Sequence, residues 1–499
     1  MDDKLYYREL ECYSTASESA KKSVGKNGYF DLALLPSETI KKEFTQYIRK
    51  RGEQVSLRTV CHDKAQFNQC CAFFKSRKSL PDSLLNWEVT RWIQLLKAWM
   101  LQNGIPLTRE HTSIYGNTHR IDARLISYLK SVIAFSQPED IRPEQEKDIW
   151  HLDKLDIPIS QNPIYHTVTL NFTAIRQAGI REEVKRAIYL HLKYEKLGTV
   201  KRELTSLRQF SRYLQSEKPQ LQSCAEIDRA LIEEYLIHKA TDGSPGHSNS
   251  DDILKLRSVL ESIGKIDGYP HLEKLFINTD IPQEVQPEFK TYSDEELKRL
   301  NAHITKLDEQ ITRCLVIHQM LGTRISDTLT LQRDCLFLLN GQDMIRIQQV
   351  KTTTFQKPIS AELAALIRKA IEYTEQRHGE TNYIFVDERD TSRPLQYTTI
   401  KHKVLSLIQK ENLRDDEGNP FKFGTHMFRR SYGVKLTEMH LDDWTIAKLL
   451  GHKGTHAVMY YRKMSNQILA DETRKARAEQ TRILLANLDG WGEEYEQIR

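Results

Sequence analysis

Six side chains in the C-terminal half have the types and order needed to exchange a phosphodiester bond: Arg324, Lys351, His426, Arg429, His452 and Tyr461. Such an exchange needs cations that hold the non-bridging oxygens as charge builds. It also needs a nucleophile that stores the bond covalently and an acid for the departing oxygen. Arginine suits the first task, because its planar fork pairs two phosphate oxygens and keeps its charge. Each residue alone has an ordinary explanation. An Arg at a helix start or a Lys at a turn is usually just solvated. A His after a helix-ending Gly can be a cap, and adjacent Tyr460 and Tyr461 could be core aromatics. His426-Met-Phe-Arg429 is the only His-x-x-Arg in the chain, but 17 histidines yield about one such match by chance.

The elements that must carry these residues are legible from periodicity. Arg324 lies in Leu321-Gly-Thr-Arg-Ile-Ser-Asp327, a short turn before an amphipathic helix. Met344–Val350 alternates like a strand, with Lys357–Ser360 as its hairpin partner, which places Lys351 near the tip. The spacing of His426 and Arg429 puts both on one face of a helix over Met427–Glu438. A helix over Asp442–Leu450 should stop at Gly451 and present His452. Ser293-Asp-Glu-Glu296 is a capping box, Ala361–Glu375 reads as a helix, and a charged helix is expected over Asn466–Leu488.

Upstream, helical periodicity dominates: Lys41–Lys50, Trp87–Gln102, Ala123–Phe135, Glu182–Lys193 and Leu204–Leu214. Pro-punctuated stretches over Ser136–Pro163 and Asp280–Thr291 read as linkers, and Thr241–Ser250 as a loop within a domain. A faint repeat relates Ile40-Lys-Lys-Glu-Phe and Gln66-Phe67 to Val184-Lys-Arg-Ala-Ile and Gln209-Phe210, at offsets of 144 and 143. The alternative is that amphipathic helices generally resemble one another. The expected fold is multidomain and mainly α. A helical N-terminal domain spans 1–160, with a helical domain over 164–281 and an α+β domain over 290–499.

At 499 residues the chain has room for about three domains. A net charge of +5 permits a nucleic-acid partner without requiring one. Seven scattered cysteines form no zinc or redox spacing and read as reduced thiols. With no signal peptide and no apolar run of membrane length, a soluble cytoplasmic protein is expected.

In order, Arg324, Lys351, His426-x-x-Arg429, Leu450-Gly-His452 and Tyr461 nine residues on resemble the tyrosine recombinase (phage integrase) family. The resemblance covers about 292–466 closely and 182–281 more loosely, where it implies a helical, SAM-like core-binding domain. It implies that Tyr461 attacks a scissile DNA phosphate to give a 3′-phosphotyrosine. Arg324 and Arg429 would clamp the phosphate with help from His452, while His426 acts as base and Lys351 as acid. Asp327 would buttress Arg324. No cofactor and no metal are implied. The implied partners are double-stranded DNA at specific recombination sites, a homotetramer or hetero-oligomeric synapse, and accessory recombination proteins, with no membrane. The implied location is the bacterial cytoplasm, with the nucleoid. The long N-terminal half leans towards a mobile-element (transposon or integrative-element) integrase. Two other readings remain open: a catalytically silent DNA-binding architectural relative, and topoisomerase-like cleavage and religation.

Overall fold

Two antiparallel strand pairs and six helices make up the first of two compact units in the computed structural model, which describes residues 3–25, 27–112, 118–138, 140–241, 249–282, 290–351, 353–463 and 474–482. The units divide between Ile141 and Arg142. In the first, β1 (Lys4–Tyr6) is followed by the short helices α1 (Glu11–Ser14) and α2 (Glu18–Val24), then by β2 (Tyr29–Asp31), which pairs with β1. Helices α3 (Glu38–Gln54), α4 (Leu57–Lys75) and α5 (Val89–Gln102) follow. The hairpin β3 (Thr108–Thr112) with β4 (Thr118–Asp122) then leads to α6 (Arg124–Ser136). Phe30, Phe44, Phe67, Phe73 and Trp92 are fully buried in one core.

The second unit begins with β5 (Ile149–His151), paired with β6 (Thr169–Asn171), and the helices α7 (Ala178–Tyr194), α8 (Leu197–Glu217), α9 (Arg229–Thr241) and α10 (Asn249–Asp267). The stretch expected to be a linker, Ser136–Pro163, does more than connect. Its apolar Trp150, Leu152 and Leu155 are buried in the α7–α10 core, because β5 gives the chain a period-2 pattern between its prolines. Residues 242–248, the centre of the expected Thr241–Ser250 loop, lie outside the described residues, as do 283–289 of the second expected linker.

The structure re-registers the internal repeat. Helices α3 and α7 start and end 140 residues apart, α4 and α8 start 140 apart, and so do α5 and α9. Buried positions follow the same step: Ile40 and Ile180, Ile48 and Ile188, Val60 and Val200, Phe67 and Leu207, Phe74 and Leu214. The repeat extends to a buried carboxylate. Glu43 accepts the Ser83 hydroxyl at 2.5 Å and the Leu84 N–H at 3.1 Å. Glu183, 140 residues on, accepts the Ser223 hydroxyl at 2.7 Å and the Cys224 N–H at 2.7 Å. The offsets of 143–144 are about one helical turn too long, a slip that still lays apolar face on apolar face, whereas the element starts set the step at 140.

The remaining elements are α11 (Asp294–Ile304), α12 (Glu309–Leu321), α13 (Ile325–Leu329), the sheet β7 (Leu336–Leu339), β8 (Gln342–Gln348), β9 (Thr354–Pro358), then α14 (Ala361–His378), α15 (Tyr397–Lys410), α16 (Thr425–Glu438), α17 (Asp443–Leu450) and α18 (Val458–Lys463). The Ser293/Glu296 capping box opens α11 as expected. Strand β8 buries Ile345 and Ile347 while Arg346 and Gln348 face solvent, the pleat alternation that fixes its register against β9. Of the expected tail helix, residues 474–482 are helical and exposed; the rest lies outside the described residues. No described helix is long and apolar enough to cross a membrane.

Candidate active site

Four helix ends and one hairpin tip converge on Arg429. This arginine, on the first turns of α16, is 1% exposed. Its Nη1 donates to the Gly322 carbonyl at 3.0 Å and its Nη2 to the Leu450 carbonyl at 2.8 Å. Both acceptors are orphan carbonyls at helix C-termini, of α12 and α17, where cations are favoured. Tyr461 lies within electrostatic reach of the Arg429 guanidinium. Burial, with Arg324 nearby, holds its pKa below the usual arginine range.

Arg324 occupies the N-cap of α13, its side chain largely buried, with Nη1 3.8 Å from Asp327 Oδ2. That Nη1 is buried and makes no hydrogen bond among the described residues. Asp327, 1% exposed, accepts the Val350 N–H at 3.1 Å. Burial raises its pKa, opposed by that N–H and by Arg324. One carboxylate therefore ties the Arg324 turn to the end of β8, just before Lys351. Lys351 is exposed in the β8–β9 turn, and its carbonyl accepts the Lys196 ammonium at 2.6 Å.

His426 sits at the exposed edge of α16, where burial of its ring and the charges of Arg430, Arg429, Arg324 and Lys351 push its pKa down to about 4. His452 is likewise pushed to about 4, by burial, then Arg429, Arg324 and His426. Both imidazoles are neutral at neutral pH. The His452 ring stacks on Tyr461, with centroids 6.3 Å apart and planes 9° apart.

Gly451 delivers His452. It ends α17 in the left-handed region at φ +65°, and a Cβ there would stand 2.6 Å from Gln349 Nε2 and 2.6 Å from Phe355. Only glycine admits both the turn and the hairpin. Tyr461 is 6% exposed on α18 and lies against Gly433, whose Cβ would meet its ring at 2.9 Å. Tyr460 is 39% exposed and pairs edge-on with His456 instead.

The six residues and Asp327 thus share one neighbourhood. Two further residues were missed in the sequence. His318, fully buried, hydrogen-bonds Thr328 Oγ1 at 2.9 Å and the Thr425 carbonyl at 3.1 Å, joining α12, α13 and α16. Lys357, 3% exposed, donates to the Leu321 carbonyl, and burial followed by Arg429 lowers its pKa to about 7. Neither carries a spacing that distinguishes it from an ordinary core or strand residue. Beside the site, Lys196, Lys201, Arg202, Arg208, Lys255 and Lys351 line a cleft of about 1260 Å³ between α8 and the β8–β9 turn.

One trio among the described residues has metal-ligating proximity: His191, Glu195 and Glu203. Both His191 nitrogens are engaged, by Glu203 at 2.8 Å and Ser262 at 2.7 Å, so the trio is a helix-packing network.

Residues 290–467 match the phage integrase family model. The chain is 24% identical over 388 residues to transposase B from transposon Tn554 of Staphylococcus aureus, covering 76% of this chain and 61% of that protein. It is 25% identical over 388 residues to transposase B from transposon PsiTn554 of Staphylococcus aureus, with the same coverage. It therefore spans under two thirds of the length of these relatives. Among solved structures, XerH site-specific recombinase bound to palindromic difH substrate aligns with a TM-score of 0.45 and 17% identity, covering 60% of this chain and 87% of that one. The Tn1549 transposon integrase in complex with circular intermediate DNA aligns with a TM-score of 0.43 and 15% identity, covering 60% and 98%. The segment that matches the family model contains all six candidate residues.

Proposed function

We propose that this chain is a site-specific DNA recombinase that cuts and rejoins DNA through a 3′-phosphotyrosine in the service of a mobile element. The observation that carries the reading is the buried Arg429 guanidinium bonded to His452, whose ring stacks on Tyr461, within the segment that matches the phage integrase family model. Ionising a free tyrosine at pH 7 costs roughly 4 kcal/mol, so the attack calls for a base that takes its proton.

In this mechanism the Tyr461 phenolate oxygen attacks the phosphorus, the bond to the 5′ oxygen breaks, and Lys351 protonates the departing 5′-hydroxyl. Neutral His426 takes the tyrosine proton. Arg324 and Arg429 hold the non-bridging oxygens, with His452 donating a further hydrogen bond, and Asp327 orients Arg324. A partner strand's 5′-hydroxyl then reverses the step. The bond energy is kept in the phosphotyrosine, so rejoining needs no ATP.

The basic cleft beside Lys351 supports duplex DNA as substrate, held between a core-binding module of α7–α10 (within 164–281) and the catalytic domain of 290–499. Strand exchange between two sites calls for four active sites, hence a tetrameric synapse. The transposon origin of the relatives supports the mobile-element role, and a DNA substrate would place the protein with the nucleoid. The test is a nicked suicide duplex carrying candidate element ends, incubated with wild type and Tyr461→Phe. A covalent protein–DNA band lost only in Tyr461→Phe is expected. A band that persists in that variant overturns the assignment of the nucleophile, and no band with wild type overturns the recombinase reading.

A further inference from the structure

The +5 net charge is not spread over the chain. Residues 1–141 hold 21 Lys and Arg against 16 Asp and Glu, whereas 142–499 hold 52 against 52. The entire excess therefore sits in the first unit, the one that repeats the α7–α10 module at a step of 140 residues.

Within that unit the charge has a focus. Tyr6 and Tyr29 face each other across the β1–β2 pair with ring centroids 5.6 Å apart. Lys4 Nζ lies 4.6 Å and Lys64 Nζ 5.3 Å from the Tyr29 centroid, and the Arg8 guanidinium lies 4.7 Å from that of Tyr6. None of the three cations has a carboxylate partner among the described residues, whereas nearby Lys41, Lys50 and Arg51 are all ion-paired. Lys4 and Arg8 are exposed, and Lys64, Tyr6 and Tyr29 are partly so. The platform beneath them is rigid: Phe30, between Tyr29 and Asp31, is fully buried and packs edge-on to Phe67 of α4, the helix that carries Lys64.

Three unpaired cations held over aromatic faces on a packed ribbon form a preorganised polyanion site. We propose that Lys4, Arg8 and Lys64, with Tyr6 and Tyr29, bind the phosphate backbone of duplex DNA, so that the first unit makes a DNA contact of its own. A backbone contact of this kind carries no sequence information; it adds affinity and register. The inference rests on the recombinase reading only for the choice of DNA as the polyanion.

The test uses the full chain and a fluorescein-labelled mixed-sequence duplex of about 60 base pairs, with affinity followed by anisotropy as salt is varied. Each phosphate contact contributes a slope of about 0.9 in log affinity against log salt. Replacing Lys4, Arg8 and Lys64 together by Ala should make the slope shallower by about 2–3, with unchanged thermal melting. Lys4→Arg with Lys64→Arg should keep the wild-type slope. An Ala variant with the wild-type slope overturns the proposal. So does a variant that loses affinity for the corresponding single strand but not for the duplex. The covalent adduct on the nicked duplex, measured in the same preparations, separates the two ideas. Absence of a wild-type adduct sinks the recombinase reading and leaves the slope result standing, whereas a normal adduct with an unchanged slope sinks only the patch.

Discussion

Arg429 Nη2 stands 2.6 Å from His452 Nε2. A guanidinium can only donate, so Nε2 accepts and the imidazole proton sits on Nδ1. That nitrogen is buried without a hydrogen-bond partner among the described residues. The arginine thus fixes the tautomer, so that Nδ1–H is the ring donor which the proposed mechanism assigns to a phosphate oxygen.

Replacing His452 by Phe keeps an aromatic ring over Tyr461 and removes the donor. Loss of one such hydrogen bond to a developing charge costs about 10²–10³ in rate. Single-turnover adduct formation should slow by about that factor while DNA affinity holds. An unchanged rate would remove His452 from the phosphate.

The histidines also set a pH window. His318, His426 and His452 all have pKa values pushed to about 4, chiefly by burial. Their folded values lie below the unfolded 6.5, so the unfolded chain binds more protons between about pH 4 and 6.5. Stability is then full above 6.5 and falls as acid is added towards 4. Melting midpoints should decline across that window, and the acid limb of adduct formation should fall near pH 4–5. A limb centred at 6.5 would mean that His426 and His452 are not held neutral in the folded site.

Lys357 works in the opposite range. Its folded value of about 7 lies below the usual lysine value near 10.4, so the unfolded chain again carries the extra proton, now between about pH 7 and 10. Stability from this site grows as pH rises through that window and is absent below it. Lys357→Met should flatten the pH dependence of the denaturation midpoint there. An identical slope in both proteins would show that the amine stays charged in the fold.

At Gly433 two effects oppose one another. Alanine in a helix interior gains about 1 kcal/mol over glycine, but the new Cβ would meet the Tyr461 ring at 2.9 Å. Gly433→Ala should therefore melt near wild type while forming adduct about 10²-fold more slowly, since displacing a reacting group by about 1 Å costs that much. Normal kinetics would mean that Tyr461 has room to shift without penalty.

Much of this site is legible from residue order alone. The helix stop at Gly451, the spacing of His426 and Arg429 and the alternation of Met344–Val350 announce the elements carrying His452, Arg429 and Lys351. What escapes is long-range. His318 contacts Thr425, 107 residues away, and Lys357 reaches back 36 residues to Leu321; neither pairing leaves a local pattern. The repeat is visible but slipped by one helical turn, because a shift of three or four residues keeps the same apolar face and periodicity alone cannot tell the two registers apart. Glu43 and Glu183 look like surface charges until the N–H groups they satisfy are known. Strand β7 went unseen because Leu336–Leu339 is an unbroken apolar run without alternation.

The ammonium of Lys196, at the cap of α8, holds the carbonyl of Lys351 in the β8–β9 turn. The lysine offered as acid is thus latched by the wall of the cleft opposite its own strand. Any separation of α8 from the β8–β9 turn must break this bond, so the backbone position of Lys351 depends on the two walls of the cleft standing together.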